Sequence, residues 1–190
     1  MKNIWIKIIF VFSFMALSQS AFSQFLIEPY AGWATSISGN YEGNNTSLSY
    51  SGTDSGARLG WSFKNLMVGI FGDYSWLYEK GSPYAASTTI NIPVNRYNGG
   101  VFLGANLNGG FRLWGEYLFY VRDSYDMNDL LFNEGTGWGG AIGYLFNPKI
   151  AVNLEYRNIT LNKNPYGTMP YNIVSQELLL TISFPIYPFN

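Results

Sequence analysis

The stretch Gly99–Arg122 reads GGVFLGANLNGGFRLWGEYLFYVR, and its alternation decides the fold. Before Asn108-Gly109-Gly110, Val101, Leu103, Ala105 and Leu107 alternate with Gly100, Phe102, Gly104 and Asn106. After it, Phe111, Leu113, Tyr117, Phe119 and Val121 alternate with Arg112, Trp114, Glu116, Leu118 and Tyr120. A period of two on both sides of a glycine-rich turn predicts an antiparallel β-hairpin. One face is nearly all apolar. The other sets Asn106, Arg112 and Glu116 among small residues.

The same pattern recurs along the chain. It predicts strands over Phe25–Ser38, Ser55–Phe63 and Met67–Lys80, a fourth between Thr88 and Leu107, and the second arm of the hairpin. Three more follow over Gly135–Phe146, Ile150–Leu161 and Tyr171–Phe184. Pro29 removes a ladder donor, so a bulge is expected there. Short turns fall at Lys64-Asn65-Leu66, Asn108-Gly109-Gly110 and Asn147-Pro148-Lys149. Polar loops are expected over Gly39–Asp54, Gly81–Ser87, Asp123–Glu134 and Asn162–Pro170. Strands of about ten to fourteen residues are long enough to cross a bilayer at a tilt. An even strand number with short turns at one end and longer loops at the other predicts an all-β, closed, eight-stranded antiparallel transmembrane β-barrel, an up-and-down meander.

Composition agrees. Hydrophobic residues make up 47% of the 190-residue chain and only 12% are charged, about half the usual charged share of a soluble domain. Histidine and cysteine are absent. That excludes imidazole-based catalysis and metal ligation, and any thiol chemistry or disulfide framework. No cofactor is expected. Lys2 and Lys7, the apolar run from Ile8 to Leu17 and the small-x-small site Ala21-Phe22-Ser23 read as a secretory signal peptide cleaved after Ser23. Residues 1–23 are then a leader and 24–190 one barrel domain. Removing Lys2 and Lys7 takes the net charge from −1 to −3, which gives no basis for nucleic-acid binding.

Alternation leaves open which face meets lipid. The polar faces hold mostly Gly, Ser and Asn with few charges, too few for a wall in water. They also match large with small: Arg112, Trp114 and Glu116 would lie beside Gly139, Ala141 and Gly143, which is how a narrow eight-stranded interior is filled. Aromatics such as Phe63, Trp76, Tyr78 and Phe146 gather toward strand ends, as interfacial girdles do. The apolar face is therefore placed in lipid. The competing reading, a soluble lipocalin-like barrel around an apolar pocket, needs an exterior rich in Lys and Glu.

With the leader ending AFSQ, the opening strand LIEPYAGW, the hairpin GGVFLGANLNGGFRLWGEY and the last strand LLLTISF, the chain resembles the OmpA/OmpX-like superfamily of small eight-stranded outer-membrane β-barrels over Phe25–Phe184. Leu180-x-Ile182-x-Phe184 is similar to the aromatic-ended signal that such barrels present to the barrel assembly machinery. The pattern departs at its end, because Pro185–Asn190 follows the aromatic. The resemblance implies an outer-membrane location in a Gram-negative envelope, contact with outer-membrane lipid and lipopolysaccharide, a monomer, and surface or envelope protein partners met through the loops. Enzymes among outer-membrane barrels rely on a catalytic His, so this chain is read as a non-enzyme with no catalytic residue.

The expected inward ionisable residues are Glu28, Arg58, Asp73, Arg112, Glu116, Glu155, Arg157 and Glu177. Enclosed charges must pair or be hydrated, so this set predicts a polar plug, with a gated lumen as the alternative. Asp123, Asp126, Asp129 and Glu134 offer hard oxygens. Their spacing matches no EF-hand loop, and they are read as a solvated acidic loop. The expected role is structural or surface-interacting. The alternatives are a narrow gated pore, a transporter of small or amphipathic solutes, and an envelope assembly or secretion factor.

Overall fold

The computed structural model describes residues 23–41, 47–63, 65–80, 92–125, 132–164 and 166–188. These form β1 (Ser23–Tyr41), β2 (Ser47–Phe63), β3 (Leu66–Lys80), β4 (Ile92–Asn106), β5 (Phe111–Tyr125), β6 (Phe132–Asn147), β7 (Ile150–Asn164) and β8 (Gly167–Ser183). Each strand pairs antiparallel with its sequence neighbours, and β1 pairs with β8, which closes the barrel. The β4–β5 turn is one short 3-10 segment, Asn108–Gly110. Gly109 and Gly110 sit there at φ of 80° and 86°, which side chains resist.

The strand period sorts the residues as expected. Leu113, Ile142, Leu154 and Leu180 form one outward row across β5 to β8, each directly opposite the next. Trp33, Trp61, Trp76 and Trp138 also project outward. The interior is packed with Phe71, Phe102, Trp114, Leu118 and Leu179 between buried charges. An apolar wall around a polar and aromatic filling inverts the soluble pattern, as a lipid environment requires.

Five expectations need correction. Gly39–Asp54 is mostly strand: β1 runs to Tyr41 and β2 starts at Ser47. The loops at 123–134 and 162–170 shrink likewise, since β5 reaches Tyr125, β6 begins at Phe132, β7 reaches Asn164 and β8 begins at Gly167. Pro29 makes no bulge. It stays in the ladder opposite Ala57, and its carbonyl accepts the Phe184 N–H at 2.9 Å. The irregularity lies instead between Ala34 and Ile37. A second one, between Leu118 and Val121, leaves Phe119 and Tyr120 both outside and turns Val121 inward, opposite to its expected face. An extra residue in one strand reverses the parity of all that follow. The expected leader up to residue 22 and the loop at Gly81–Ser87 lie outside the described residues, while Ser23, its expected last residue, stands in β1 opposite Phe63.

The β1–β8 register also continues past the end of β8. The alignment that pairs Tyr30 with Ser183 pairs Ile27 with Ile186, which exchange N–H···O bonds of 3.0 and 2.8 Å. Phe184 is therefore not the last residue in register.

Candidate functional site

The lumen holds four arginines, each linking strands across the ring. Nearest the short-turn end, Arg112 on β5 forks onto Glu28 of β1 at 2.9 and 2.7 Å. Arg58 on β2 reaches Glu155 of β7 at 2.6 Å and shares Glu28 Oε1 with Arg112, at 3.4 Å. Its guanidinium lies between the rings of Tyr30 and Trp114, 4.3 and 4.5 Å from their centroids, a flat cation on two π faces. At mid-height Arg157 donates to Glu116 at 2.7 Å and lies 3.0 Å from Asp73 and 3.4 Å from Glu155. Tyr30 and Asn98 complete Asp73 at 2.9 and 2.6 Å. Thr181 donates to Glu155 at 2.8 Å.

Toward the long-loop end, Arg96 forks onto Asp123 at 2.6 and 2.7 Å and donates to Glu177. Beyond that cluster, β2, β4, β5, β7 and β8 turn apolar or aromatic residues inward: Tyr50, Val94, Tyr125, Leu161 and Ile173. Val94 and Leu161 have no exposed surface. This collar closes the lumen over the Arg96 cluster, and Tyr125 hydrogen-bonds Glu79 within it at 3.3 Å.

All eight expected lumen residues are buried: Glu28, Arg58, Asp73, Arg112, Glu116, Glu155 and Arg157 in one bonded cluster, and Glu177 in the Arg96 cluster. Four more buried ionisable side chains line the lumen with them. Glu79 already shared the inward face of β3, and Arg96 is in phase with Gly100 and Phe102. Asp54 is in phase with Arg58 but fell inside an expected loop. Asp123 carried no usable signal, because only the β5 bulge turns it inward. It is thus an ion-pair partner and not a loop ligand. Glu134 stands opposite Arg122 in β6, while Asp126 and Asp129 lie outside the described residues.

Large faces small as expected: Arg112 opposes Gly143, Trp114 opposes Ala141 and Glu116 opposes Gly139. A Cβ on Gly139 would stand 2.6 Å from the Tyr156 carbonyl oxygen and 2.7 Å from Glu116 Oε1. Gly139→Ala is therefore expected to lower stability by about 1–3 kcal/mol, the usual cost of overpacking, read as an earlier urea midpoint of protein folded into lipid vesicles.

Among the described residues the lumen buries eight carboxylates against four guanidiniums. Asp54 Oδ2, Asn98 Oδ1 and Glu116 Oε2 make no hydrogen bond. At the short-turn mouth, Tyr187 packs half-buried against the core. Burial raises its hydroxyl pKa above the ordinary value, with Arg112 pulling it down and Glu28 pushing it up.

No protein-family model and no curated protein matches the chain. Solved structures do. The attachment invasion locus protein Ail of Yersinia pestis is similar at a TM-score of 0.54 and 11% identity, over 86% of this chain and 99% of that one. Ail in complex with the heparin analogue sucrose octasulfate gives the same score at 12% identity. Neisserial surface protein A matches at 0.52 and 17% identity, over 85% and 97% of the two chains. At such identities the likeness concerns architecture, and it spans both partners nearly end to end. This chain has the fold of the small eight-stranded outer-membrane β-barrels.

Proposed function

We propose that this chain is a non-enzymatic outer-membrane protein whose closed body anchors and displays the segments at its long-loop end to surface or envelope partners. The observation that carries this reading is the filled lumen. Every arginine within it is at most 3% exposed and bonded to carboxylates on other strands. A body filled in this way leaves its ends as the surfaces free to act, and loops held on a rigid scaffold are where recognition concentrates. The apolar wall supports residence in a bilayer, and the likeness to Ail and Neisserial surface protein A supports the outer membrane. A bound sulfated sugar analogue on Ail gives a first probe for the loops.

A second reading is a gated conduit. The excess of buried carboxylates favours cations as the permeant species, because a wall of one sign selects the opposite charge.

Refolded protein is expected to migrate differently on gels when boiled and unboiled, to fractionate with outer membranes, and to show no steps in planar bilayer recordings. Discrete cation-selective openings of the unmodified protein would replace the first reading with the second. Recovery in the soluble fraction would end both.

A further inference from the structure

We propose that Pro185–Tyr187 is a lid on the short-turn mouth of the lumen, opening without the rest of the barrel, with the Tyr187 ring as its closing element. This goes beyond a static plug, because it gives one end of the lumen a local opening motion. The register places the segment. With Ile27 opposite Ile186, Pro185 falls level with Glu28 and Tyr187 level with Leu26. Pro185 is buried and Ile186 is exposed, so inward and outward alternation persists through the segment. Tyr187 thus enters the mouth, where its hydroxyl lies within electrostatic reach of both members of the Glu28–Arg112 pair.

What holds the segment is different from what holds the body. Pairing of β7 with β8 ends at Ala151 opposite Ser183, so beyond that point the described structure borders the segment by β1 alone. Two backbone bonds tie it there, the reciprocal pair between Ile186 and Ile27, just past the bond from the Phe184 N–H to the Pro29 carbonyl. The alternation that aims residues 184 and 186 at β1 aims the 185 nitrogen away from it. Proline fits such a place, having no N–H to leave unbonded on a free edge. Every strand of the body, by contrast, is laddered on both sides, and among the described residues all but β6 contribute to the ion pairs of the lumen. A segment paired on one edge opens at a fraction of the global free energy. Its opening admits water to Glu28, Arg112 and Met67 while the collar of Val94, Leu161 and Ile173 keeps the other end sealed.

Because the chain has no cysteine, single introduced thiols report each end. Met67→Cys lies beneath the lid beside Arg112, and Ile173→Cys lies in the collar. Both are labelled with a charged, water-soluble maleimide in the full chain folded into vesicles. Adding Tyr187→Ala is expected to speed labelling at position 67 by about tenfold or more, as for any barrier lowered by local opening, with no change at 173. Ser62→Cys, inward and near the same mouth, serves if Met67→Cys does not fold. Equal rates with and without Tyr187 overturn the proposal. Equal acceleration at 67 and 173 also overturns it, since that reports loosening of the whole barrel.

Discussion

Arg157→Met is expected to cost the barrel about 3–5 kcal/mol, the penalty for removing one partner of a buried ion pair. Methionine keeps much of the stem volume and removes only the charge and its donors. Three carboxylates lose a partner unequally. Glu155 keeps Arg58 at 2.6 Å and the Thr181 hydroxyl, and Asp73 keeps Tyr30 and Asn98. Glu116 keeps nothing comparable: its Oε1 is bonded to Arg157 and its Oε2 has no partner. The loss should therefore fall mainly on Glu116. A double-mutant cycle locates it: adding Glu116→Gln to Arg157→Met should recover part of the lost stability, since an amide is far cheaper to bury than a lone carboxylate. Urea unfolding in vesicles measures both. A midpoint unmoved by Arg157→Met would mean that the lumen is wet enough to solvate these acids.

Ile142→Arg tests the other face, with an expected cost of about 2–4 kcal/mol for a cation in the middle of the lipid band. Ile142 is 64% exposed, and its row neighbours Leu113 and Leu154 are apolar and outward too. Phe146→Arg, near the end of β6, should cost only about 0–1 kcal/mol because the side chain reaches the headgroups. The contrast between the two positions carries the information. On a water-facing wall both changes would stay within about 0.5 kcal/mol. Folding yields into vesicles, compared between the two variants, decide between lipid and water.

Alternation made the membrane-crossing part of each strand legible, down to the pairing of Glu116 with Gly139. It failed where its physical cause is missing. Beyond the lipid band a strand needs no apolar face, so Ser49, Ser51 and Thr53 can point outward while Tyr50 and Asp54 point inward. Such a stretch resembles a loop in composition, and its ladder is a property of the backbone. The β5 bulge was hidden for a related reason. It falls within Tyr117-Leu118-Phe119-Tyr120-Val121, five bulky residues in a row that fit either phase. Asp123 and its pairing with Arg96 were lost with it. Arg96 and Glu79 were recoverable, since both keep the inward phase of their strands.

The cross-ring ion pairs also bear on how the chain reaches its folded state. Arg58 and Glu155 are 97 residues apart, Arg112 and Glu28 are 84 apart, and Arg96 and Glu177 are 81 apart. No hairpin contains both members of any of these pairs. An open sheet in the bilayer would hold Arg112 away from Glu28 and leave Arg58 with its hairpin neighbour Glu28 but without Glu155, at a cost of several kcal/mol per ion left short of its partner. Such a sheet is a poor resting state, and each strand added leaves it poor until β8 meets β1. Long-range closure of this kind slows folding. Here it also makes folding cooperative, because these cross-ring pairs form in the same event that joins the ends of the sheet.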